Sequence, residues 1–131
     1  MPDERTRRLA AQFAVDRAQI DNRRMLGDDV ARPRDVEHFA YFPTADEAQR
    51  AVEQLEKAGF AGSTYFSADR SSLMAVRSDA VDEESARAFV REVDAIVEAN
   101  GGHYDGWGAP VVVARRPMVH IPDTPAEINW G

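Results

Sequence analysis

Cysteine is absent from this chain of 131 residues, and its absence excludes several classes of protein. There is no disulfide framework, no thiolate metal site and no cysteine nucleophile. No apolar run approaches the ~20 residues that span a bilayer. The first residues, MPDERTRRLAAQ, carry charges where a secretory signal peptide has its apolar segment. These features predict a cytoplasmic protein that does not enter a membrane.

Clustered basic residues are also missing from most of the chain. Residues 1–40 hold eight basic and eight acidic side chains, so the net charge of -7 comes from the remainder. Phosphate backbones attract clustered Lys and Arg, and this composition therefore argues against direct nucleic-acid binding. An acidic domain suits a basic surface on a protein partner. The alternative is that the acidic residues only keep the protein soluble.

The hydrophobic content of 44% is sufficient for one core, and its periodicity divides the chain into elements. A helix over 4–26 has a thin apolar stripe of Leu9, Phe13 and Ile20, suited to packing on the domain or on a partner. The other elements predicted are a strand over 36–42, a helix over 45–58, strands over 61–68 and 71–78, a helix over 82–99 and a strand over 110–114.

The segment VEHFAYF, residues 36–42, alternates so that His38 and Phe42 share a face with Val36 and Ala40. Bulky residues on both faces favour a central strand. After the first helix, the order strand–helix–strand–strand–helix–strand is the split βαβ, or ferredoxin-like, motif. We therefore expect an α+β fold, with one antiparallel sheet and two helices on one face. The expected parts are an N-terminal helix and connector (1–34), a ferredoxin-like domain (35–116) and a proline-containing surface tail (117–131).

The stretch GGHYDGWGAP, residues 101–110, is the densest local signal, with four glycines among ten residues. Gly101 and Gly102 allow positive φ where the preceding helix ends, and Gly106 and Gly108 allow a bulge. The aromatic residues Tyr104 and Trp107 suit either burial at a corner or a protein contact. The sequence favours a structural corner that leads into an edge strand, and leaves a contact role open.

The sequence contains no recognisable motif of catalytic or cofactor-binding residues. The strand that follows His103 is expected beside the strand that carries His38, so the two histidines could lie close together, but they lack any metal-ligand spacing. The glycine-rich stretch 101–110 follows a predicted helix, whereas a dinucleotide-binding loop precedes a helix. The segment GSTY is not a serine nucleophile elbow. We therefore predict no catalytic residues, no metal and no cofactor.

The motif GGHYDGWG at the end of a βαββαβ unit resembles the signature of the regulator of ribonuclease E activity B family. The segments VEHFAYF and LEKAGF are also similar to that family, and the resemblance covers roughly residues 35–113. It implies a ferredoxin-like fold and a non-enzymatic protein that binds and inhibits ribonuclease E. The positions that it marks as signature or partner-binding residues are Tyr104, Asp105, Gly106, Trp107, His38 and Phe42.

Two features depart from the family pattern. His103 stands where an acidic residue is frequent, and the tail holds only Asp123 and Glu127 as acidic residues, instead of a long acidic run. The alternatives to ribonuclease regulation are a small-ligand-binding or enzymatic domain that uses the open sheet face, and a dimeric structural module. A pocket that brings together His38, His103 and Asp105 would favour the ligand-binding alternative.

Overall fold

The computed structural model of the protein describes residues 3–67 and 70–113. Its elements follow the predicted order of one helix and then a βαββαβ unit. They are α1 (Glu4–Met25), β1 (Arg34–Phe42), α2 (Ala45–Lys57), β2 (Ala61–Ser67), β3 (Arg70–Asp79), α3 (Glu83–Ala99) and β4 (His103–Gly108). The predicted tail over 117–131 lies outside the described residues.

Each helix begins at a side chain that accepts a hydrogen bond from the first turn. Asp3 accepts from the amide of Thr6 at 2.8 Å, and Thr44 accepts from the amide of Glu47 at 3.2 Å. Asp82 caps α3 in the same way. These bonds satisfy amides that have no partner within the helix, and so the local sequence sets the helix starts.

The four strands form one antiparallel sheet in the order β2-β3-β1-β4. β1 is an interior strand, as its bulk on both faces predicted. Its residues alternate in burial, with Val36, His38, Ala40 and Phe42 buried on one face. This confirms the expected α+β class and antiparallel sheet.

Both helices of the βαββαβ unit pack on that buried face. One row of paired residues crosses the whole sheet: Gly62, Ala75, His38, Trp107. Val52 of α2 lies against the Gly62 end of the row, and Phe89 of α3 packs edge-on against His38. Since directly paired residues point to the same side, α2 and α3 cover one face and leave the other open.

α1 packs beside α3, at the side of the sheet bounded by β4. Leu9 and Ile20 enter the same core cluster as the sheet residues. Buried Asp94 on α3 forms hydrogen bonds to Arg8 at 2.9 Å and to Arg5 at 3.0 Å. The helix is therefore held on the domain by ion pairs as well as by its apolar stripe.

The predicted strand over 110–114 is wrong within the described residues 110–113. The last strand is instead the signature stretch, and Val113 forms only an isolated bridge to Asp28. Arg23 binds the carbonyl of Ala109 at 2.8 Å, and Arg34 binds the carbonyl of Pro110 at 2.9 Å. These bonds draw the segment towards the end of α1, and Pro110 lacks an amide donor for a strand ladder.

Gly102 is expected to be intolerant of any side chain. A methyl group there would overlap the ring of Phe42, which is fully buried. We expect Gly102→Ala to lower the free energy of unfolding by about 1–3 kcal/mol, as overpacking does. Urea denaturation followed by circular dichroism measures this loss.

Gly108→Ala is the matched control, since a methyl group there meets no heavy atom within 4 Å from other parts of the described chain. We expect this variant to unfold within about 0.5 kcal/mol of the parent protein. Equal losses in the two variants would contradict the packing explanation.

Candidate functional site

The signature residues of β4 divide between the protein interior and its surface. Tyr104, Gly106 and Trp107 are buried, whereas His103 and Asp105 are exposed. Among the described residues the strand pairs only with β1, and its register shifts between Phe39 and Ala40. β4 is thus an edge strand with a bulge in the middle of the motif.

The bulge depends on a glycine. Gly106 has φ of +103°, a conformation that side chains strongly disfavour, and it pairs with Phe39. The extra residue reverses the alternation, so that Tyr104 and Trp107 lie three positions apart and still both face the helices. The expected bulge at this glycine is therefore present, and it aims the indole inwards.

Trp107 joins the edge of the sheet to two helices. Its side chain is only 8% exposed, and its ring packs edge-on against Phe89 at 5.1 Å between centroids. The guanidinium of Arg23 lies 5.4 Å from the ring centroid. The indole Nε1 donates to Oδ1 of Asp16 at 3.0 Å. This residue is enclosed by β4, α3 and α1.

Asp16 is a buried carboxylate in the middle of α1. It also accepts a hydrogen bond from Gln12 at 2.9 Å. Burial raises the pKa of Asp16, and the bonds from Gln12 and Trp107 partly offset that rise. The charge is therefore stabilised mainly by the two donors, one of which is the signature tryptophan.

His38 and Tyr104 form a second buried pair. His38 is 0% exposed, and its Nδ1 lies 3.0 Å from the hydroxyl oxygen of Tyr104. The rings of Phe60 and Phe89 enclose the imidazole edge-on at 5.5 and 5.0 Å. Burial, with a smaller contribution from the charge of Arg77, lowers the pKa of His38 to about 3. The imidazole is thus neutral at physiological pH.

The same buried environment shifts the pKa of Tyr104. Burial raises the pKa of its hydroxyl well above the usual value, and the charges of Asp16 and Asp94 act in the same direction. A neutral imidazole paired with a neutral phenol makes a polar contact inside an apolar core. It does not create a strong base that solvent can reach.

The two histidines do not converge on a common site. His38 faces the helices, whereas His103 stacks on Tyr41 on the open face, with ring centroids 5.0 Å apart. Asp105 is exposed on the edge strand, and Phe42 is fully buried beside Gly102. Residues 3–67 and 70–113 contain no group of three potential ligands that could hold a metal ion.

Sequence reasoning missed the buried charges that surround the motif. Asp16 and Arg23 fall at helical spacing from Leu9 and Ile20, inside the apolar stripe of α1, and that position was the available signal. No sequence pattern around Asp28 indicates that this residue is buried. It forms ion pairs with Arg23 at 3.1 Å and with Arg34 at 2.8 Å, residues that lie on different elements.

The class of protein follows from this geometry: an α+β domain whose conspicuous aromatic residues anchor an N-terminal helix. A family model described as regulator of ribonuclease activity B matches residues 14–109. The matched region runs from the middle of α1 to just beyond β4, and the chain belongs to this family. The resemblance carried by the motif is thereby confirmed. A search of curated proteins found no match to the chain.

In the part of the chain that the structure describes, no helix combines the length and the apolar character needed to cross a bilayer.

Removing the indole donor tests the Trp107–Asp16 bond. We expect Trp107→Phe to lower the free energy of unfolding by about 2–3 kcal/mol, because a buried carboxylate loses a hydrogen bond and some packing is lost. With Asp16→Asn in place, the same substitution should cost about 1 kcal/mol less, since no charge is left unsatisfied. Urea denaturation of the four proteins gives the coupling energy, and a coupling near zero would contradict the role of this bond.

The buried histidine predicts a dependence of stability on pH. Unfolding raises the pKa of His38 from about 3 to about 6.5, so the unfolded chain takes up a proton as pH falls. Stability is therefore fully present above pH 6.5 and decreases towards pH 3. Between pH 7 and pH 5 we expect the parent protein to lose about 2 kcal/mol more than His38→Gln. Urea denaturation at pH 7 and pH 5 measures this difference. Equal losses of stability in the two proteins would show that His38 has the same pKa in the folded and unfolded states.

Proposed function

We propose that this protein is a non-enzymatic cytoplasmic regulator that binds a ribonuclease E-type endoribonuclease and inhibits it, thereby slowing RNA processing and decay. The observation that carries the proposal is the family match over residues 14–109, which takes in the second half of α1 and all of the sheet. The matched region therefore contains the whole βαββαβ unit. The match therefore supports a regulatory function of the whole domain, and not of the short signature motif alone.

The architecture supports a ferredoxin-like assignment for the βαββαβ unit. The strand order β2-β3-β1-β4, with every neighbouring pair antiparallel and both intervening helices on one face, is the arrangement that the split βαβ motif produces. α1 is an addition at the β4 side. Its buried contacts to Trp107 and Asp94 make it an integral part of the folded unit.

The residues best equipped for chemistry are enclosed. His38 is fully buried and already bonded to Tyr104, and aromatic rings surround it. A substrate would have to displace core side chains to reach either group. The ligand-binding alternative required His38, His103 and Asp105 in one pocket, and these residues lie in different places. This geometry favours regulation by contact over catalysis.

We further propose that the signature motif acts mainly as an internal anchor. Trp107, Tyr104, His38 and Phe42 supply packing and hydrogen bonds beneath the surface, and Gly106 supplies the bulge that directs the indole. Asp105 is the exposed member of the set. It is the one motif side chain that a partner can reach without unfolding β4.

The charge distribution favours a basic surface on the partner. α2 exposes Asp46, Glu53 and Glu56, and within the described ranges none of these carboxylates forms an ion pair. On α3, by contrast, Glu83 and Glu92 are paired with arginines. α2 also exposes two basic residues, which offset two of its four carboxylates, and the remaining negative charge is suited to steer a basic protein surface and repels RNA phosphates.

A cleavage assay tests the proposal directly. The purified chain is titrated into a ribonuclease E-type enzyme with a fluorogenic single-stranded RNA, and we expect the cleavage rate to fall to a plateau at stoichiometric excess. Binding is measured in parallel by biolayer interferometry against the immobilised enzyme. An unchanged cleavage rate together with no binding would overturn the proposal.

Three controls define the mechanism. A gel-shift assay with the RNA alone should show no complex with the chain, which separates enzyme binding from sequestration of substrate. Glu53→Lys on α2 should weaken inhibition about tenfold, whereas Glu84→Lys, at an exposed carboxylate in the first turn of α3, should have little effect. A chain ending at residue 113 shows whether the tail with Asp123 and Glu127 contributes to inhibition.

A further inference from the structure

The sheet face opposite the helices carries aromatic and aliphatic side chains that no element covers in the described structure. Phe39 and Tyr41 on β1 and Met74 and Val76 on β3 are only half-buried, and none belongs to the core cluster or packs against it. Tyr65 on edge strand β2 is 51% exposed. We call the surface formed by these five residues the open face.

Pairing across the sheet makes the apolar part of the open face continuous. Met74 is directly opposite Phe39, and Val76 is opposite Glu37. Phe39 therefore lies at the centre of the surface, with Met74 beside it. A contiguous apolar surface of this kind is a common feature of protein–protein contacts.

The two ends of the open face differ in charge. Tyr41 lies between Arg70, whose guanidinium is 4.1 Å from its ring centroid, and His103, which stacks on it. Four residues earlier on β1, about 13 Å away, Glu37 is exposed, and Asp35 is exposed beyond it. One end thus presents a guanidinium and the other presents two carboxylates.

We propose that two copies of this chain associate open face to open face, about a two-fold axis that lies between the sheets near Phe39 and runs perpendicular to β1. This axis sets the two β1 strands antiparallel across the interface. Glu37 of one copy then faces the Arg70–Tyr41 end of the other, and the reverse contact forms as well. The self-complementary charge makes a second copy a better occupant than RNA, whose phosphates would meet Asp35 and Glu37.

The size of the open face sets the expected strength of the dimer. Strands of six to ten residues, four abreast, give a surface of about 19 Å by about 27 Å, or roughly 500 Å². Stable interfaces bury about 800 Å² on each partner. We therefore expect a reversible dimer with a dissociation constant on the order of 100 µM, and helices that stay accessible on its outside.

Sedimentation velocity of the full chain tests the interface without any ribonuclease, so its result is independent of the proposed function. We expect the weight-average mass to rise from monomer to dimer over a range from about 5 µM to about 1 mM. Glu37→Arg and Arg70→Glu should each weaken the dimer about tenfold, because each places like charges opposite one another. The double variant should restore the parent affinity, since it reverses both ends together.

Two further variants test the placement of the axis. Asp105 is exposed on β4 near the level of Phe39, so it would approach its own copy across the axis, and Asp105→Asn should strengthen the dimer. Glu53→Arg on α2 makes the same charge change on the helix layer and should leave the dimer unchanged.

Three outcomes would overturn the proposal. They are a monomer throughout the concentration range, a dimer that the Glu37 and Arg70 variants do not affect, and a double variant no stronger than the single ones. If the protein is a monomer, the open face is available to a different protein or to RNA. The biolayer interferometry and gel-shift assays described above detect such binding.

Discussion

The hydrogen bond from Trp107 to Asp16 is the contact on which the arrangement of this protein depends. The indole lies where the edge strand, α3 and α1 meet, and its Nε1 is one of two donors to the buried carboxylate. A carboxylate without donors would be too costly to bury, so α1 docks only where Trp107 is available. The position of Trp107 depends in turn on the bulge at Gly106, because an unbroken strand would direct the indole elsewhere.

A layer of buried charges extends this principle along α1. Asp94 binds Arg5 and Arg8 near the start of the helix, and the cluster of Asp28, Arg23 and Arg34 fixes its end. Buried ion pairs add little net stability compared with apolar packing, but breaking one of them is costly. They therefore determine where the helix sits more than how strongly it is held. This explains how a helix with so narrow an apolar stripe becomes part of the domain.

The predicted elements and the observed ones agree where local signals are strong. The helical periodicity of residues 45–58 and 82–99, and the alternation across residues 36–42, were sufficient to place two helices and a central strand. The strand over 110–114 was wrong because branched residues indicate a strand only if a partner is available for pairing. Arg23 and Arg34, distant in sequence, bind the carbonyl groups at the start of that segment and divert it. Similarly, the burial of Asp16 was missed, because burial of a single acid depends on donors from other elements.

The sequence by itself determined the α+β class, the order of the elements, the helix ends and the family, because each of these follows from short-range periodicity, capping and a local motif. Tertiary structure decided which side chains the motif turns inwards, which face of the sheet stays open and how α1 is attached. Those outcomes depend on pairing between strands and on contacts between charged residues that are far apart in the sequence. His38 and His103 show the difference most clearly: the predicted topology allowed them to lie close together, and the bulge and pleat place them on opposite faces of the sheet.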